Sequence, residues 1–375
     1  MAVPADLKCA LLYYVAGAEQ IYVVLLTNDG VTRQFPLLGW DEAFPLIDNF
    51  NDAIYGTRSN SQKNEVLLRF SEEWGRRLLP PDDELRSFDI LTIIPQHTIY
   101  GVPLHAVRTE DGAFVGTRHG VSYCSSGSLL RLAASRNVAR NTSSETPPRS
   151  CFALIGDVIH GRTDLYRPVV TTFEQFLDVD PQCEGMPRER LKNSSSDVIA
   201  VICHGHYDDI EPRNSGLLLD HRRDGFNSSM RPIVLGNGTV ASFRDYPFRF
   251  PPPFLDPDPE ALPEILTVDE LKVDADCGAQ LVALLGCSTA AAAAFSSDDV
   301  GSLAEQWLRL GTPSVLANSW ESDVQFVERW CERFLAKWIT ETRPKALAWK
   351  DANREFADTS PLFEWAGLTL WGDWV

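Results

Sequence analysis

Five short, almost wholly apolar runs punctuate the chain at wide intervals: Phe88–Ile94, Phe152–Gly156, Val198–Cys203, Leu281–Gly286 and Ser314–Ala317. None alternates apolar with polar positions, as a strand with one face in water would. Strands covered on both faces read this way, and the long intervals leave room for crossover helices. The expected fold is therefore α/β, with a largely parallel central sheet flanked by helices. Two of those helices are legible. Ser302–Leu310 stops at Gly311 with Pro313 beyond it, a common helix ending. Val324–Ile339 places Val327, Trp330, Cys331, Phe334, Leu335 and Trp338 on one face, ready to cover a sheet.

The first 40 residues follow a different rule. Lys8–Val15 and Gln20–Thr27 alternate, which predicts an antiparallel hairpin turning near Gly17, and Asn28-Asp29-Gly30 marks a second turn. Residues 41–80 carry helical spacing in Val66, Leu67, Phe70, Trp74 and Leu78, ending at Pro80-Pro81. Two stretches read as irregular. Residues 136–150 are polar and basic, as an exposed loop would be. Residues 221–276 contain three consecutive prolines at 251–253, and from Asp256 to Asp276 hold eight acids against one lysine. This predicts an acidic insertion of loops with a small hairpin. The reading divides the chain at about residue 150, into an N-terminal part (1–150) and a larger part (151–375). No repeat of a solenoid type is visible.

The 375 residues are 44% hydrophobic and 23% charged, a balance that excludes wholesale disorder. Lys and Arg number 34 against 52 Asp and Glu, a net charge of −18 that repels phosphate backbones and anionic lipid. Direct nucleic-acid and membrane partners are therefore not expected, whereas basic protein segments are compatible. No apolar run approaches the ~18–20 residues of a membrane span. Cys9–Ala18 is broken by tyrosines and a glycine, so it does not read as an export signal. The eight cysteines form no C-x-x-C pair, and several lie inside apolar runs. The expected compartment is the reducing cytoplasm, where the sequons at Asn141, Asn193, Asn227 and Asn237 carry no weight.

Chemistry concentrates at two strand ends. The run Val198–Cys203 breaks into His204-Gly205-His206, and Leu281–Leu285 breaks into Gly286-Cys287-Ser288-Thr289. Reactive groups in open α/β sheets collect beyond the carboxyl ends of parallel strands. A free thiol, with a pKa of about 8.5, is only a few per cent thiolate near pH 7. A neighbouring imidazole raises that fraction and later protonates the leaving amine. The amides of Gly205 and Cys287 are candidate oxyanion donors. Against this stands ordinary packing, the fate of most cysteines after apolar strands; Cys203 is expected to point into the core. His206 is a rival base that spacing alone does not separate from His204. A zinc site built from Cys203, His204, His206 and Cys287 lacks a known ligand spacing, so no metal or cofactor is expected.

With these residues in place the chain resembles the CHAT domain, the caspase-like cysteine peptidase module of clan CD related to caspases and separases. The similarity runs through Ile94-Pro95 and Tyr100-Gly101-Val102-Pro103-Leu104, Tyr123-Cys124-Ser125-Ser126 and Leu154-Ile155-Gly156-Asp157. It continues through Cys203-His204-Gly205-His206 with Ser215–Leu219, Leu284–Ala290, Gly311–Trp320 and Trp365–Asp373. The resemblance implies a caspase-like sandwich with the N-terminal hairpin region as an accessory part. It also implies a cysteine endopeptidase with His204 as base and Cys287 as nucleophile. Two departures stand out: Gly286-Cys287-Ser288 where the family has Ala-Cys-Glu, and Glu321-Ser322-Asp323 where it has Pro-Val-Asp.

Clan relatives hold a basic P1 side chain with acids at strand tips, which nominates Asp157 and Asp323 for the substrate pocket, with capping as the alternative for Asp323. The expected partner is a protein substrate in a regulated, defence-type or cell-death-type pathway. Any activator or targeting surface would be a separate protein or the insertion itself. Arg136, Arg140 and Arg149 mark a candidate self-cleavage loop. A non-catalytic scaffold binding a protein partner through the same groove is the competing reading.

Overall fold

The computed structural model describes residues 7–27, 30, 32–56, 58–141, 147–156, 166–180, 191, 194–206, 216–221, 233–234, 240–241, 263–267, 271, 277–286, 289–290, 293–294 and 300–375. Alternation builds the first layer of the sheet. Strands β1 (Cys9–Ala16) and β2 (Gln20–Thr27) bury every second residue and pair antiparallel. A third strand, β3 (Thr32–Gly39), pairs antiparallel with β2; its arginine, glutamine and proline had hidden it from the pattern. Helices α1 (Trp40–Tyr55) and α2 (Asn60–Arg69) follow where helical spacing predicts them. A capping box between Ser59 and Gln62 starts α2.

The apolar runs form strands that are buried almost throughout: β4 (Ile90–Ile94), β6 (Ser150–Ile155), β8 (Val198–Ile202), β14 (Leu281–Leu284) and β17 (Ser314–Asn318). Three further strands complete the sheet. These are β5 (Gly120–Tyr123), β7 (Asp178–Val179) and β18 (Leu368–Gly372). Polar residues in β4, β5 and β18 are tolerated because they satisfy one another or the ladder. Thr92 and Ser122, opposite each other, share a hydrogen bond of 3.2 Å, and Thr369 Oγ1 donates to the Ala317 carbonyl.

The eleven strands lie in the order β3-β2-β1-β4-β5-β18-β17-β14-β8-β6-β7. Strands β1, β4, β5 and β18 run parallel to one another. Strands β17, β14, β8, β6 and β7 run parallel to one another in the opposite direction. The two blocks meet at the antiparallel pair β17–β18. The C-terminal strand thus stands between residues from either side of position 150, in one continuous sheet. The carboxyl ends of β6, β8, β14 and β17 share one rim.

Helices cover the faces: α3 (Gly127–Asn141), α4 (Arg167–Glu174), α5 (Leu303–Arg309), α6 (Val324–Leu335) and α7 (Lys345–Phe356). The six residues read as one face of Val324–Ile339 are all buried, and Trp330, Phe334 and Trp349 have essentially no exposure.

The loop expected over residues 136–150 is corrected at its two ends, and residues 142–146 lie outside the described residues. Helix α3 runs to Asn141, and Ser150 opens β6. Leu129, Ala133 and Asn137 extend one buried stripe at four-residue spacing. Asn137 belongs there because its Nδ2 donates to Asp373 Oδ2 at 2.6 Å. Arg136, helical, reaches the Leu308 and Arg309 carbonyls at 3.5 Å. At the start of the expected insertion, β10 (Gly216–His221) pairs antiparallel with β13 (Pro263–Thr267) on one side and with β9 (His204–His206) on the other. A two-residue pair, β11 (Ile233–Val234) with β12 (Val240–Ala241), is the small hairpin. A further short pair joins β15 (Ala293–Ala294) to β16 (Val300–Gly301). The remainder of 221–276, apart from Leu271, lies outside the described residues.

Candidate active site

Strands β8 and β14 are adjacent, parallel and in register, Leu281 to Leu284 facing Val198 to Val201. The register carries one residue further, the Leu285 amide donating to the Val201 carbonyl at 2.8 Å. On the other side of β8, the Gly156 amide donates to the Ile202 carbonyl at 3.0 Å. The chain segments leading to Asp157, His204 and Cys287 therefore end on neighbouring strands at the same rim. Asp157 and Cys287 themselves lie outside the described residues. Cys203 is buried, as read from the sequence.

Beyond β8 the backbone continues directly into β9, where His204 pairs with Leu218, Gly205 with Leu217 and His206 with Gly216. Strand pairing covers both histidines equally and does not rank one above the other. The chain thus leaves the main sheet for the three-stranded sheet β13-β10-β9.

The residues flanking position 287 are held tightly. Thr289, buried at 1% exposure, donates from Oγ1 to the Leu284 carbonyl at 2.9 Å and the Gly286 carbonyl at 3.1 Å. The same oxygen accepts from the Asn318 amide at 3.0 Å, and the Ala290 amide donates to the Asn318 carbonyl at 2.7 Å. Sequence reading passed over Thr289 and Asn318. Their only signal was position, two residues past the candidate cysteine and one residue past an apolar run.

Asp323, nominated for the substrate pocket, is exposed and caps α6, its Oδ1 accepting from the Phe326 amide at 3.0 Å. Its own amide donates to Glu364 Oε2 at 3.3 Å. Burial raises the Glu364 carboxyl above its ordinary value, and the charges of Asp323 and Glu321 add to the rise. Glu321 receives the nearly buried Lys63 of α2 at 2.7 Å, and Lys63 also lies over the Phe363 ring. The loop after β17 is therefore acidic and pinned from two helices. Gly367 is required beside it, since a Cβ there would stand 2.9 Å from Trp320 Nε1.

Among the described cysteines, burial pushes Cys9 up to about 11 and Cys124 up to about 12, with Cys331 higher still. Those thiols are protonated at neutral pH and serve as packing. Among the described residues, no group of three or more His, Cys, Asp or Glu could hold a metal ion. No described helix is long and apolar enough to cross a membrane.

The sequence profile of the CHAT domain matches residues 69–373. The chain belongs to the CHAT domain family. The match takes in every strand of the sheet except β1–β3, which precede it. No relative matches among curated proteins. Among solved structures, the CHAT chain is similar to separase in the Saccharomyces cerevisiae separase–securin complex, with a TM-score of 0.56 and 10% identity over 98% of this chain. A second structure of that complex gives 0.55 and 11% over 97%. The chain spans about 30% of the length of those separase chains. The Arg-specific cysteine proteinase gingipain R aligns at 9% identity over 89% of this chain and 74% of its own, with a TM-score of 0.44. The feature shared with separase is the fold, a mostly parallel central sheet between helices.

Proposed function

We propose that this CHAT domain is a cysteine endopeptidase with His204 as general base and Cys287 as nucleophile. The observation that supports the reading is the in-register parallel pairing of β8 and β14, the strands that lead to the two residues. In the proposed reaction His204 takes the Cys287 proton, and the sulfur attacks the scissile carbonyl carbon. Negative charge collects on the carbonyl oxygen, which the Gly205 and Cys287 amides would receive, a contribution of about 2.7–4 kcal/mol per donor in comparable sites. The C–N bond breaks as the imidazolium protonates the leaving amine. Water then hydrolyses the thioester, with His204 again as base.

The substrate we infer is a protein cut after Arg or Lys. Asp157, following β6 at the same rim, is the stronger candidate to line the P1 pocket, because Asp323 already caps a helix. The acids Glu321 and Asp323, with Glu364 beside them, favour basic segments, as does the net charge of −18. Regulation by a separate protein partner, in a pathway of controlled proteolysis, completes the proposal; the similar separase is in complex with securin. The test is a peptide-library cleavage profile of the intact chain beside Cys287→Ala. Cleavage after basic residues that vanishes in Cys287→Ala is the expected result. Cleavage unchanged by that substitution overturns the dyad. Absence of both cleavage and labelling of Cys287 by a thiol-reactive peptide favours a non-catalytic scaffold.

A further inference from the structure

We infer that Thr289 is a positioning residue for the nucleophile: its hydroxyl ties the chain on either side of position 287 to the end of β17. The inference rests on the reading of Cys287 as nucleophile. A strand end has no ladder partners of its own, so the carbonyls past the last paired residue need other donors. Beyond Leu285, β14 has lost its pairing with β8, and the chain reverses within five residues to Ala290. The Thr289 hydroxyl closes that reversal. Its proton is shared between the Leu284 and Gly286 carbonyls, at 2.9 and 3.1 Å, and its lone pair takes the Asn318 amide at 3.0 Å. The Ala290 amide to the Asn318 carbonyl, at 2.7 Å, adds a second tie to the same β17 residue. Both Thr289 and Asn318 are about 1% exposed, so water does not replace these partners.

The network joins three things at one oxygen: the end of the strand leading to the nucleophile, the residue immediately before it, and the neighbouring strand whose following loop carries the acids at 321 and 323. Serine can make all three bonds. Valine, of the same shape, makes none, and leaves the Asn318 amide and the Leu284 and Gly286 carbonyls without that partner. Misplacing a reacting group by about 1 Å costs on the order of 100-fold in rate.

The experiment compares wild type, Thr289→Val and Thr289→Ser in the full chain, with three measurements. Hydrogen exchange by mass spectrometry over residues 284–290 reads the tether. Steady-state kinetics on a fluorogenic peptide with Arg at P1 reads its consequence. Alkylation of Cys287 by iodoacetamide as a function of pH reads the thiol without need of turnover. Expected for Thr289→Val are faster exchange in 284–290, a fall in kcat of about 10- to 100-fold with KM within twofold, and a shifted pH profile of alkylation. Thr289→Ser should lie within about threefold of wild type on each measure. Unchanged exchange in Thr289→Val overturns the tether. Unchanged kcat in an active enzyme overturns the positioning role. A wild type with no turnover fails the peptidase reading instead, and there an alkylation profile identical in all three proteins overturns this inference as well.

Discussion

Acidification should unfold this protein partly through one histidine. His105 has no exposure, and its ring is fixed from both sides. Nε2 lies 3.0 Å from the Ala366 carbonyl, which can only accept, so Nε2 carries the proton. Nδ1 then accepts from the Tyr123 hydroxyl at 2.8 Å, and that hydroxyl in turn accepts from the His105 amide at 3.2 Å. Protonating Nδ1 would set a donor against the Tyr123 proton and place a charge between the rings of Trp349 and Trp365. Burial lowers the His105 pKa from 6.5 to about 4, the Ala366 hydrogen bond opposing only in part.

Because the unfolded chain binds this proton first, stability is full above about pH 6.5 and drains as pH falls toward 4. At about 1.4 kcal/mol per pH unit, the loss reaches about 2.5 kcal/mol by pH 4.5. The assay is urea unfolding followed by tryptophan fluorescence, for wild type and His105→Gln, from pH 7.5 to 4.5. Glutamine cannot titrate and gives up the fitted ring contacts, so at pH 7.5 the variant should be less stable by about 1–2 kcal/mol. The gap should close and then reverse by pH 4.5, moving about 2.5 kcal/mol in all. His119, also lowered by burial, is common to both proteins and drops out of the difference. A gap that stays constant across this range would refute the reasoning.

Two stability predictions accompany the activity tests on Cys287 and Thr289. Asp197 Oδ2 accepts from the Arg149 amide, the Ser150 amide and the Ser150 hydroxyl at 2.9–3.0 Å, setting the start of β6 beside that of β8. Asp197→Ala should cost about 2 kcal/mol in urea unfolding, and a change under 0.5 kcal/mol (a typical surface effect) would show that water substitutes for it. Gly372 ends β18 at φ +83°, and a Cβ there would collide with the Pro313 carbonyl. Gly372→Ala should cost about 2–3 kcal/mol, read as a lowered midpoint in the same assay; a midpoint equal to wild type would mean the turn relaxes freely.

Legibility in the sequence followed the physics of burial. Strands β6, β8, β14 and β17 were readable because both faces are covered, and α6 because its buried face repeats at helical spacing. Strand β5 was not, since Gly120-Val121-Ser122-Tyr123 owes its buried serine to Thr92 of β4, a partner 30 residues away. The stretch at 136–141 misled for the same reason: Asn137 looks solvated until Asp373 is placed against it. At the candidate site, the strand tips at 204 and 287 were visible as breaks in apolar runs. The tether was not, because its evidence is a hydroxyl whose partners lie on two strands.

The candidate site lies where neighbouring strands part. Through Val201 and Leu285 the ladder between β8 and β14 is continuous. One strand then departs: His204–His206 pairs with β10, so the chain after β8 joins the smaller sheet. The other turns back toward β17, held by Thr289 and Asn318. Strand ends that part after running in register are where an open α/β sheet offers a ligand a crevice. A substrate backbone needs such an opening, and an uninterrupted sheet offers none. Strands β10 and β13, which bracket most of the insertion, form with residues 204–206 a sheet separate from the one that holds β14.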